Sequence, residues 1–424
     1  MKRLLIISNN VLSTTNNNGK TILSFINGVQ NLEVAQLYFS GEVPKVGPYK
    51  YYQISDKDII KGLLKTEKRG KEVTACPQTD YFDDFSIKKK VGRNTFTLLC
   101  REVLWHNKWK SKGLSKWLDQ VHPDAIFFVA GDALFAYDIC ASIYKKYGSR
   151  LTVYVTDDYV MPRKDDNHIN TIRRNCIRNA LRNILKDADC FYTVSESMKL
   201  EYREVFRKDS YLAINMTEDM KDTSYKKNEK ETIFTYAGSF YYKRFEVLGK
   251  LANAIKKYNN GHPNSKAKLM LYSNSEPTED IKHVLEIDGV SEYGGSLNSE
   301  QLRMRLNTSD ILVFVESFEL EQIEKVKYSL STKVPEYMSL GKPILAIGPD
   351  ESGSIKYLKD IAVCVNNEEM IYSTIKELLD NDIMRLRYGN MSRKKYLCLH
   401  NSKKLQEEFI ANVIGEEKCP LSNG

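Results

Sequence analysis

Short apolar runs alternate with amphipathic stretches along most of the chain. In the first half, the runs that predict buried strands are Leu4–Ser8, Val34–Phe39, Ala125–Ala130, Leu151–Thr156, Cys190–Val194 and Tyr211–Ile214. Helical stretches lie between the later runs, at Leu134–Lys146, Asn167–Asp187 and Ser197–Phe206. Nearly continuous apolar strands separated by helices are typical of a parallel sheet covered on both faces. Residues 40–120 break this rhythm and show no clean period.

A polar segment, residues 216–231, interrupts the alternation and predicts a linker. The strands predicted beyond it are Thr232–Ala237, Lys268–Tyr272, Val290–Tyr293, Ile311–Val315, Ile344–Ile347 and Ile361–Val365. We therefore predict an α/β protein of two Rossmann-like domains, whose default ligand site is the cleft between them. The predicted division is an N-terminal domain 1–215, linker 216–231, C-terminal domain 232–395, and C-terminal helix and tail 396–424.

The bulk composition agrees with this division. A chain of 424 residues is too long for one compact core, and 42% hydrophobic with 28% charged residues is ordinary for a globular protein. No run approaches the roughly 18 apolar residues of a membrane span, and the first apolar run is too short for a signal sequence. The eight cysteines are scattered without a C-x-x-C pair, which favours a cytoplasmic, reducing environment over disulfides or a metal site.

The formal net charge of +8 implies anionic partners, among which nucleic acid, phospholipid and nucleotide sugars all qualify. All three tryptophans lie in the basic segment 96–118. One interpretation is an amphipathic helix that contacts an anionic membrane surface. The alternative is a core helix whose long cationic side chains cover its rim.

Two loops of the first half carry candidate chemistry. Gly19 and Lys20 resemble part of a P-loop, but Thr14 stands where that pattern needs glycine, so what remains is a glycine loop entering a helix. Asp157 and Asp158 follow a predicted strand and are candidates to bind hydroxyls, act as a base or hold a metal. Because adjacent residues of extended chain point to opposite sides, we expect at most one to face a ligand. The structural alternatives are a plain turn and a helix cap.

Two loops of the second half suit a phosphate. In the first, Gly238 and Ser239 follow a strand, and Lys243 and Arg244 come just inside a helix. In the second, small hydroxyl residues and Lys333 open a helix, where backbone N–H groups and the helix dipole favour an anion.

Together these runs resemble the GT-B glycosyltransferases, in particular family 4-like enzymes of bacterial surface-polysaccharide synthesis. The most specific run is 331–345, which reads STKVPEYMSLGKPIL, and the resemblance covers about residues 230–380. It implies two domains facing across a cleft, an N-terminal acceptor-binding domain and a C-terminal nucleotide-sugar-binding domain. It also implies a C-terminal helix that can return to the N-terminal domain.

The resemblance also implies roles. Glu336 would hold the nucleotide ribose, and Arg244 would neutralise the diphosphate. The predicted catalytic residues are Arg244, Lys333, Asp157 and Asp158. The predicted donor-nucleotide residues are Gly238, Ser239, Lys243, Ser331, Thr332 and Glu336, and the predicted acceptor or diphosphate wall is Gly19 and Lys20.

One motif position departs from the family. The family pattern is Glu, seven residues, Glu, but Tyr328 stands at the first position, with Glu316 and Glu319 upstream as candidate substitutes. The family's His-Asp pair is also absent from the first domain.

The predicted function is transfer of a sugar from a nucleotide sugar to a lipid-linked or oligosaccharide acceptor. We expect the reaction to be retaining and independent of metal or cofactor, with no nucleic-acid partner. The alternatives are an inactive GT-B-like binding or scaffold protein and a GT-B epimerase.

Overall fold

The computed structural model describes residues 1–14, 17–62, 69–76, 95–224, 231–401 and 403–416. The chain divides into two compact units, Met1–Asn215 with Lys403–Gly424, and Met216–Ser402. Each unit is built on a sheet whose strands are parallel or nearly all parallel, which confirms the predicted α/β fold with two Rossmann-like domains. Within the described ranges, no helix is long and apolar enough to cross a membrane.

The first unit contains an eight-stranded sheet of order β4-β3-β2-β1-β5-β6-β7-β8. Its strands are β1 (Lys2–Ser8), β2 (Leu32–Tyr38), β3 (Lys50–Gln53), β4 (Lys71–Val73), β5 (Ala125–Ala130), β6 (Arg150–Val155), β7 (Cys190–Thr193) and β8 (Tyr211–Leu212). Among the strands described, only the edge pair β3–β4 is antiparallel. The central strand β1 pairs with β2 on one side and β5 on the other, so the strand order reverses there. Ligands of such sheets bind at this reversal, beyond the carboxyl ends of the strands.

Helices cover both faces of this sheet because its strands are buried on both sides. They are α1 (Asn17–Ile26), α2 (Asp56–Lys61), α3 (Thr95–Trp105), α4 (Lys112–Val121), α5 (Leu134–Tyr147), α6 (His168–Asp187) and α7 (Glu196–Phe206). The elements β3, α2 and β4 fall within residues 40–120, where the sequence shows no clean period. They are short and lie at the sheet edge, so their hydrophobic pattern is weak.

The second unit contains a parallel six-stranded sheet of order β11-β10-β9-β12-β13-β14. Its strands are β9 (Thr232–Ala237), β10 (Ala267–Tyr272), β11 (Ser291–Tyr293), β12 (Ile311–Val315), β13 (Ile344–Ile347) and β14 (Val363–Val365). Its helices are α8 (Arg244–Gly261), α9 (Glu279–Leu285), α10 (Ser299–Thr308), α11 (Leu320–Val326), α12 (Lys333–Ser339), α13 (Gly353–Leu358), α14 (Ile371–Asp380) and α15 (Asp382–Leu399). The strand order reverses between β9 and β12, which are neighbours.

The described part of the predicted linker packs on the second unit. The amide of Asp222 donates to Asn307 Oδ1 at 2.9 Å, and Asn307 Nδ2 donates to the carbonyl of Met220 at 2.8 Å. Asp219 forms an ion pair with Arg393. Residues 225–230 of the predicted linker and 417–424 of the predicted tail lie outside the described residues. The predicted division at 395 falls inside α15.

The last helix, α16 (Lys403–Ile414), belongs to the first unit, as the resemblance implied. The buried Phe409 ring packs against Phe25 at 4.5 Å, Tyr192 at 5.0 Å and Phe127 at 5.5 Å between ring centroids. Apolar contact with central strands β5 and β7 therefore anchors the C-terminal end of the chain to this sheet.

The tryptophan-rich segment 96–118 forms two core helices, α3 and α4, in place of a single surface helix. All three indole rings are buried. Trp105 stacks on Phe135 with centroids 3.9 Å apart, and the Arg101 guanidinium lies 5.6 Å from the Trp105 ring. The core alternative thus accounts for the three tryptophans, because their indole rings are buried and unavailable to a membrane surface.

Replacing Phe409 with alanine should lower the free energy of unfolding by about 3 kcal/mol, because it leaves a cavity among three aromatic rings. Chemical denaturation of the full chain measures this change. Glu407→Ala, an exposed position on the same helix, is the matched control and should change stability by less than about 0.5 kcal/mol. Equal effects of the two variants would contradict the packing of α16.

Candidate functional site

The loop after β9 brings the backbone close to two polar side chains. A Cβ atom at Gly238 would lie 2.5 Å from Lys333 Nζ and 2.6 Å from Tyr236 Oη, so a side chain at this position would have to displace the ends of both neighbours. The Tyr236 hydroxyl donates to the carbonyl of Ser239 at 2.6 Å and closes the loop. The structure thus brings two of the predicted positions, Gly238 and Lys333, into one cluster.

The entry to α8 is strained. Tyr242 and Lys243 both have left-handed backbone conformations, with φ of 60° and 56°, which large L-residues rarely adopt. This turn directs Arg244, the first residue of α8, inward. Lys243 is instead half exposed, and its Nζ lies 3.3 Å from Glu319 Oε1. Strained loops of this kind are concentrated at ligand sites.

Arg244 forms a buried ion pair with Glu316, the residue that follows β12. Its Nε and Nη2 both donate to Glu316 Oε2, at 3.0 and 2.6 Å. The side chains are only 17% and 4% exposed. Burial raises the pKa of Glu316, and the charge and hydrogen bonds of Arg244 oppose that rise. The sequence pointed to Glu316 only as a substitute for Tyr328. Its pairing with Arg244 depends on the adjacency of β9 and β12, which is a property of the tertiary structure.

Lys333 is a second cation in this cluster. Its side chain is partly exposed along its length, but the ammonium group is enclosed and lies 5.9 Å from the centre of the Tyr236 ring. Burial, followed by the positive charge of Arg244, lowers the pKa of Lys333 to about 8, while Glu336 and Glu316 act in the opposite direction. The pKa of such a lysine rises when a negative charge binds beside it.

In the loop before α12, two of the amides that the sequence predicted to be unpaired have hydrogen-bond partners. The Ser331 amide donates to Ser354 Oγ at 3.0 Å, and the Lys333 amide donates weakly to Ser331 Oγ at 3.4 Å. Thr332 caps the helix without a side-chain hydrogen bond. Glu336 lies buried one turn further on. The Lys333 side chain adds a positive charge to this loop.

Asp158 of the first unit has a structural role. Its Oδ1 accepts hydrogen bonds from the amides of Val160 and Met161 at 3.2 and 3.0 Å, and from the Tyr202 hydroxyl at 2.9 Å. These donors hold the turn after β6, so the helix-cap or turn alternative describes Asp158 better than the catalytic one. Asp157 is half-buried beside the Thr156 hydroxyl, 3.4 Å away.

Gly19 also serves packing. Helix α1 begins at Asn17, so Gly19 lies inside the helix and not in a loop before it. A Cβ atom at Gly19 would overlap the carbonyl of Val11, so glycine lets α1 lie against the chain that leaves β1. Lys20, the next residue of α1, is partly exposed.

A large pocket of about 1090 Å³ lies in the first unit, at the carboxyl ends of five strands. The strand-end residues that line it are Ser8, Phe39, Gln53, Ala130 and Thr156. Asn18, beside Gly19, also lines it. Sequence reasoning missed this pocket because its lining comes from many separate segments, several of them within the unpatterned region 40–120. Among the described residues, no group of His, Cys, Asp or Glu has an arrangement that could hold a metal ion.

Solved structures resemble this chain over nearly its whole length. An α,α-trehalose 6-phosphate synthase from Burkholderia multivorans has a TM-score of 0.63 at 9% identity, covering 98% of this chain and 99% of that one. HepE from Anabaena, in complex with UDP and glucose, has a TM-score of 0.59 at 10% identity, covering 98% and 100%. An E. coli structure described as trehalose-6-phosphate bound with UDP-2-fluoro glucose has a TM-score of 0.58 at 13% identity, covering 97% and 99%.

These likenesses establish the fold. The neighbours are GT-B glycosyltransferases, so the two parallel-sheet domains of this chain have the GT-B fold. No protein-family model matches the chain, and no curated protein matches it in sequence.

Removing one partner of the Arg244–Glu316 pair should lower the free energy of unfolding by about 3–5 kcal/mol, because an uncompensated charge stays buried. The double variant Arg244→Met/Glu316→Leu should cost about 2 kcal/mol less than the sum of the single variants. Chemical denaturation of all three variants measures this coupling. The exposed pair Lys404–Glu408 is the control, with coupling below about 0.5 kcal/mol; additive costs at Arg244 and Glu316 would refute the paired arrangement.

Proposed function

We propose that this protein is a glycosyltransferase that moves a sugar from a nucleotide sugar to a saccharide acceptor. The observation that carries the proposal is the enclosed cluster of Arg244 and Lys333 beside Gly238, at the carboxyl ends of β9 and β12. The GT-B fold supports it, because related structures were solved with UDP and glucose and with UDP-2-fluoro glucose.

The cluster suits a leaving nucleoside diphosphate. As the glycosidic bond to the donor breaks, negative charge grows on the leaving oxygen, and fixed positive charge lowers the energy of that state. Arg244 is held in place by Glu316, so its guanidinium is oriented before the ligand arrives. Lys333 would become fully protonated beside a diphosphate. We propose that these two cations neutralise the leaving group and that the reaction proceeds without a metal.

The remaining details of the proposal rest on the resemblance of residues 331–345 to family 4-like enzymes. Glu336 would hold the ribose of the donor. The acceptor would be a lipid-linked or oligosaccharide glycan in bacterial surface-polysaccharide synthesis, and the reaction would be retaining. The protein would act in the cytoplasm, where a lipid-linked acceptor would bring it to the inner membrane face.

An inactive nucleotide-sugar-binding protein is the second candidate, and Tyr328 favours it. Tyr328 is buried and supplies no carboxylate at the position of the family's first glutamate. Release of free UDP from UDP-sugars, followed with saccharide acceptors, separates the two candidates, since a binding protein releases none. The anomeric configuration of any product, read by NMR, then tests retention and also detects epimerisation of the donor.

UDP should bind about tenfold more weakly at pH 9 than at pH 7. Free Lys333 loses its proton as the pH rises through about 8 and must regain it to pair with the diphosphate. Isothermal titration calorimetry at both pH values, in buffers of different ionisation enthalpy, should show proton uptake at the higher pH. Lys333→Met should bind weakly with no such dependence, and a pH dependence that survives in this variant would exclude Lys333 as its source.

Lys333→Met should reduce kcat about 10²- to 10³-fold with the best donor and acceptor, since it removes a charge aimed at the leaving group. Lys250→Ala, which removes a half-exposed cation on α8, is the matched control and should keep most of the activity. Turnover in EDTA should equal turnover in buffer. Near-normal kcat in Lys333→Met would remove the proposed role of this cluster, and loss of activity in EDTA would remove the metal-free mechanism.

A further inference from the structure

The side-chain amine of Lys333 has no partner that neutralises it. Among the described residues, Lys333 Nζ forms no hydrogen bond and no ion pair. The centre of the Tyr236 ring lies 5.9 Å away, and a Cβ atom at Gly238 would lie 2.5 Å from Nζ. Glu336 and Glu316 influence the amine through their charge and not through a hydrogen bond. The nitrogen lone pair is therefore not committed to any contact within the fold.

Part of this amine is neutral near pH 7.5. Burial, followed by the positive charge of Arg244, lowers the pKa of Lys333 to about 8, so about a quarter of the amine is unprotonated at that pH. An ordinary lysine, with a pKa of about 10.4, is unprotonated to only about 0.1%. The side chain is partly exposed and Nζ is not fully buried, so a small reagent can reach it. Desolvation and a neighbouring cation are conditions that make a lysine nucleophilic.

Arg244 offers an anchor for an anion beside this amine. Its Nε and Nη2 donate to Glu316 Oε2, which leaves the two N–H groups of Nη1 without a partner among the described residues. Because the pair with Glu316 holds the guanidinium, Nη1 has a fixed direction. Guanidinium N–H groups suit phosphoryl oxygens. A reagent whose phosphoryl group is joined through one oxygen to an electrophilic carbon therefore fits both cations, and an acyl phosphate is such a reagent.

We propose that Lys333 is a modification site, at which an acyl phosphate transfers its acyl group to the amine while Arg244 holds the phosphoryl group. The neutral amine attacks the acyl carbon, and a nitrogen–carbon bond forms. The carbon–oxygen bond to the phosphoryl group breaks, phosphate leaves with the electron pair, and the proton released by the nitrogen passes to that phosphate. No atom is oxidised or reduced. Because Arg244 meets the phosphoryl charge, the amine beside it stays partly neutral until it reacts.

Acylation would switch off the cluster of the second unit. The product is an uncharged amide, and it is larger than the ammonium group that lies beside Gly238. A diphosphate would lose one of its two cations and part of its space. This consequence rests on the proposed function, whereas the acyl transfer itself does not. The supply of acyl phosphates would thus lower the affinity for UDP, and bound UDP would shield the amine.

Acetylation of the full chain by acetyl phosphate at pH 7.5, followed by mass spectrometry, tests the site. Lys333 should react about tenfold faster than Lys403 and Lys404, whose side chains are 81% and 82% exposed on α16. A thioester without phosphate, S-acetyl-N-acetylcysteamine, should favour Lys333 less, because it offers no phosphoryl group to Arg244. Inorganic pyrophosphate should slow the reaction of Lys333 with acetyl phosphate. A rate at Lys333 no higher than at the two control lysines would overturn the inference.

The part assigned to Arg244 is tested by its removal. Arg244→Met/Glu316→Leu removes the anchor without leaving an unpaired buried carboxylate. It should lower the preference of Lys333 for acetyl phosphate over the thioester about tenfold, as expected for the loss of a charge-assisted hydrogen bond. Lys250→Ala, which removes a half-exposed cation on the same helix, is the matched control and should leave both rates unchanged. A preference that survives in the double variant would contradict the anchoring role.

UDP binding distinguishes failure of this inference from failure of the proposed function. Protein acetylated at Lys333 should bind UDP at least about tenfold more weakly, while Lys333→Arg, which keeps the positive charge, should keep its affinity after the same treatment. Unchanged affinity after full acetylation would overturn the switch. If Lys333 is not acetylated selectively but UDP binding depends on it, the modification site is wrong and the glycosyltransferase proposal stands. If Lys333 is acetylated selectively but untreated protein does not bind UDP, the proposed function fails and the reactive lysine remains.

Discussion

Burial of a parallel sheet on both faces is the constraint on which the rest of this structure depends. Strands β1 and β5 of the first unit and β9 and β12 of the second are apolar and enclosed, so their faces offer no room for polar chemistry. Functional groups must therefore lie where the strands end. Gly238 follows β9, Glu316 follows β12, and the pocket of the first unit lies beyond the ends of five strands. Both candidate sites thus follow from one topological rule.

Burying the charges of the second unit's cluster costs free energy. Removing an ion from water costs several kcal/mol even when a partner is present, and apolar replacements of buried pairs are often as stable. Arg244 and Glu316 compensate each other, but Lys333 is enclosed beside another cation, and its lowered pKa of about 8 reflects that imbalance. A fold that retains such a lysine gains stability when an anion binds. This physical feature distinguishes the cluster from an ordinary structural salt bridge.

In the first unit, residue type alone does not identify the role of a side chain, because that role depends on its contacts. Asp158 is a carboxylate that follows a strand, as a catalytic residue could, yet it accepts hydrogen bonds from three donors of its own unit and stabilises a turn. Gly19 has the setting of a phosphate loop, yet it allows a helix to lie against the backbone near Val11. The tryptophans of 96–118 have the pattern of a surface helix, yet they fill the core. In each case the local sequence is compatible with two environments, and packing selects one.

The sequence by itself determined the α/β class, the two parallel-sheet domains, the position of Gly238 just after a strand and the positions of Arg244 and Lys333 at the starts of helices, because hydrophobic period and glycine placement are local properties. It could not determine the partner of Arg244, since Glu316 is 72 residues away and is brought near only by the adjacency of β9 and β12. The pocket of the first unit was not predicted for the same reason, because the residues that line it come from separate segments. Tertiary structure alone decided which charges meet, because the free energy of a charge depends on burial and neighbours that strand order creates.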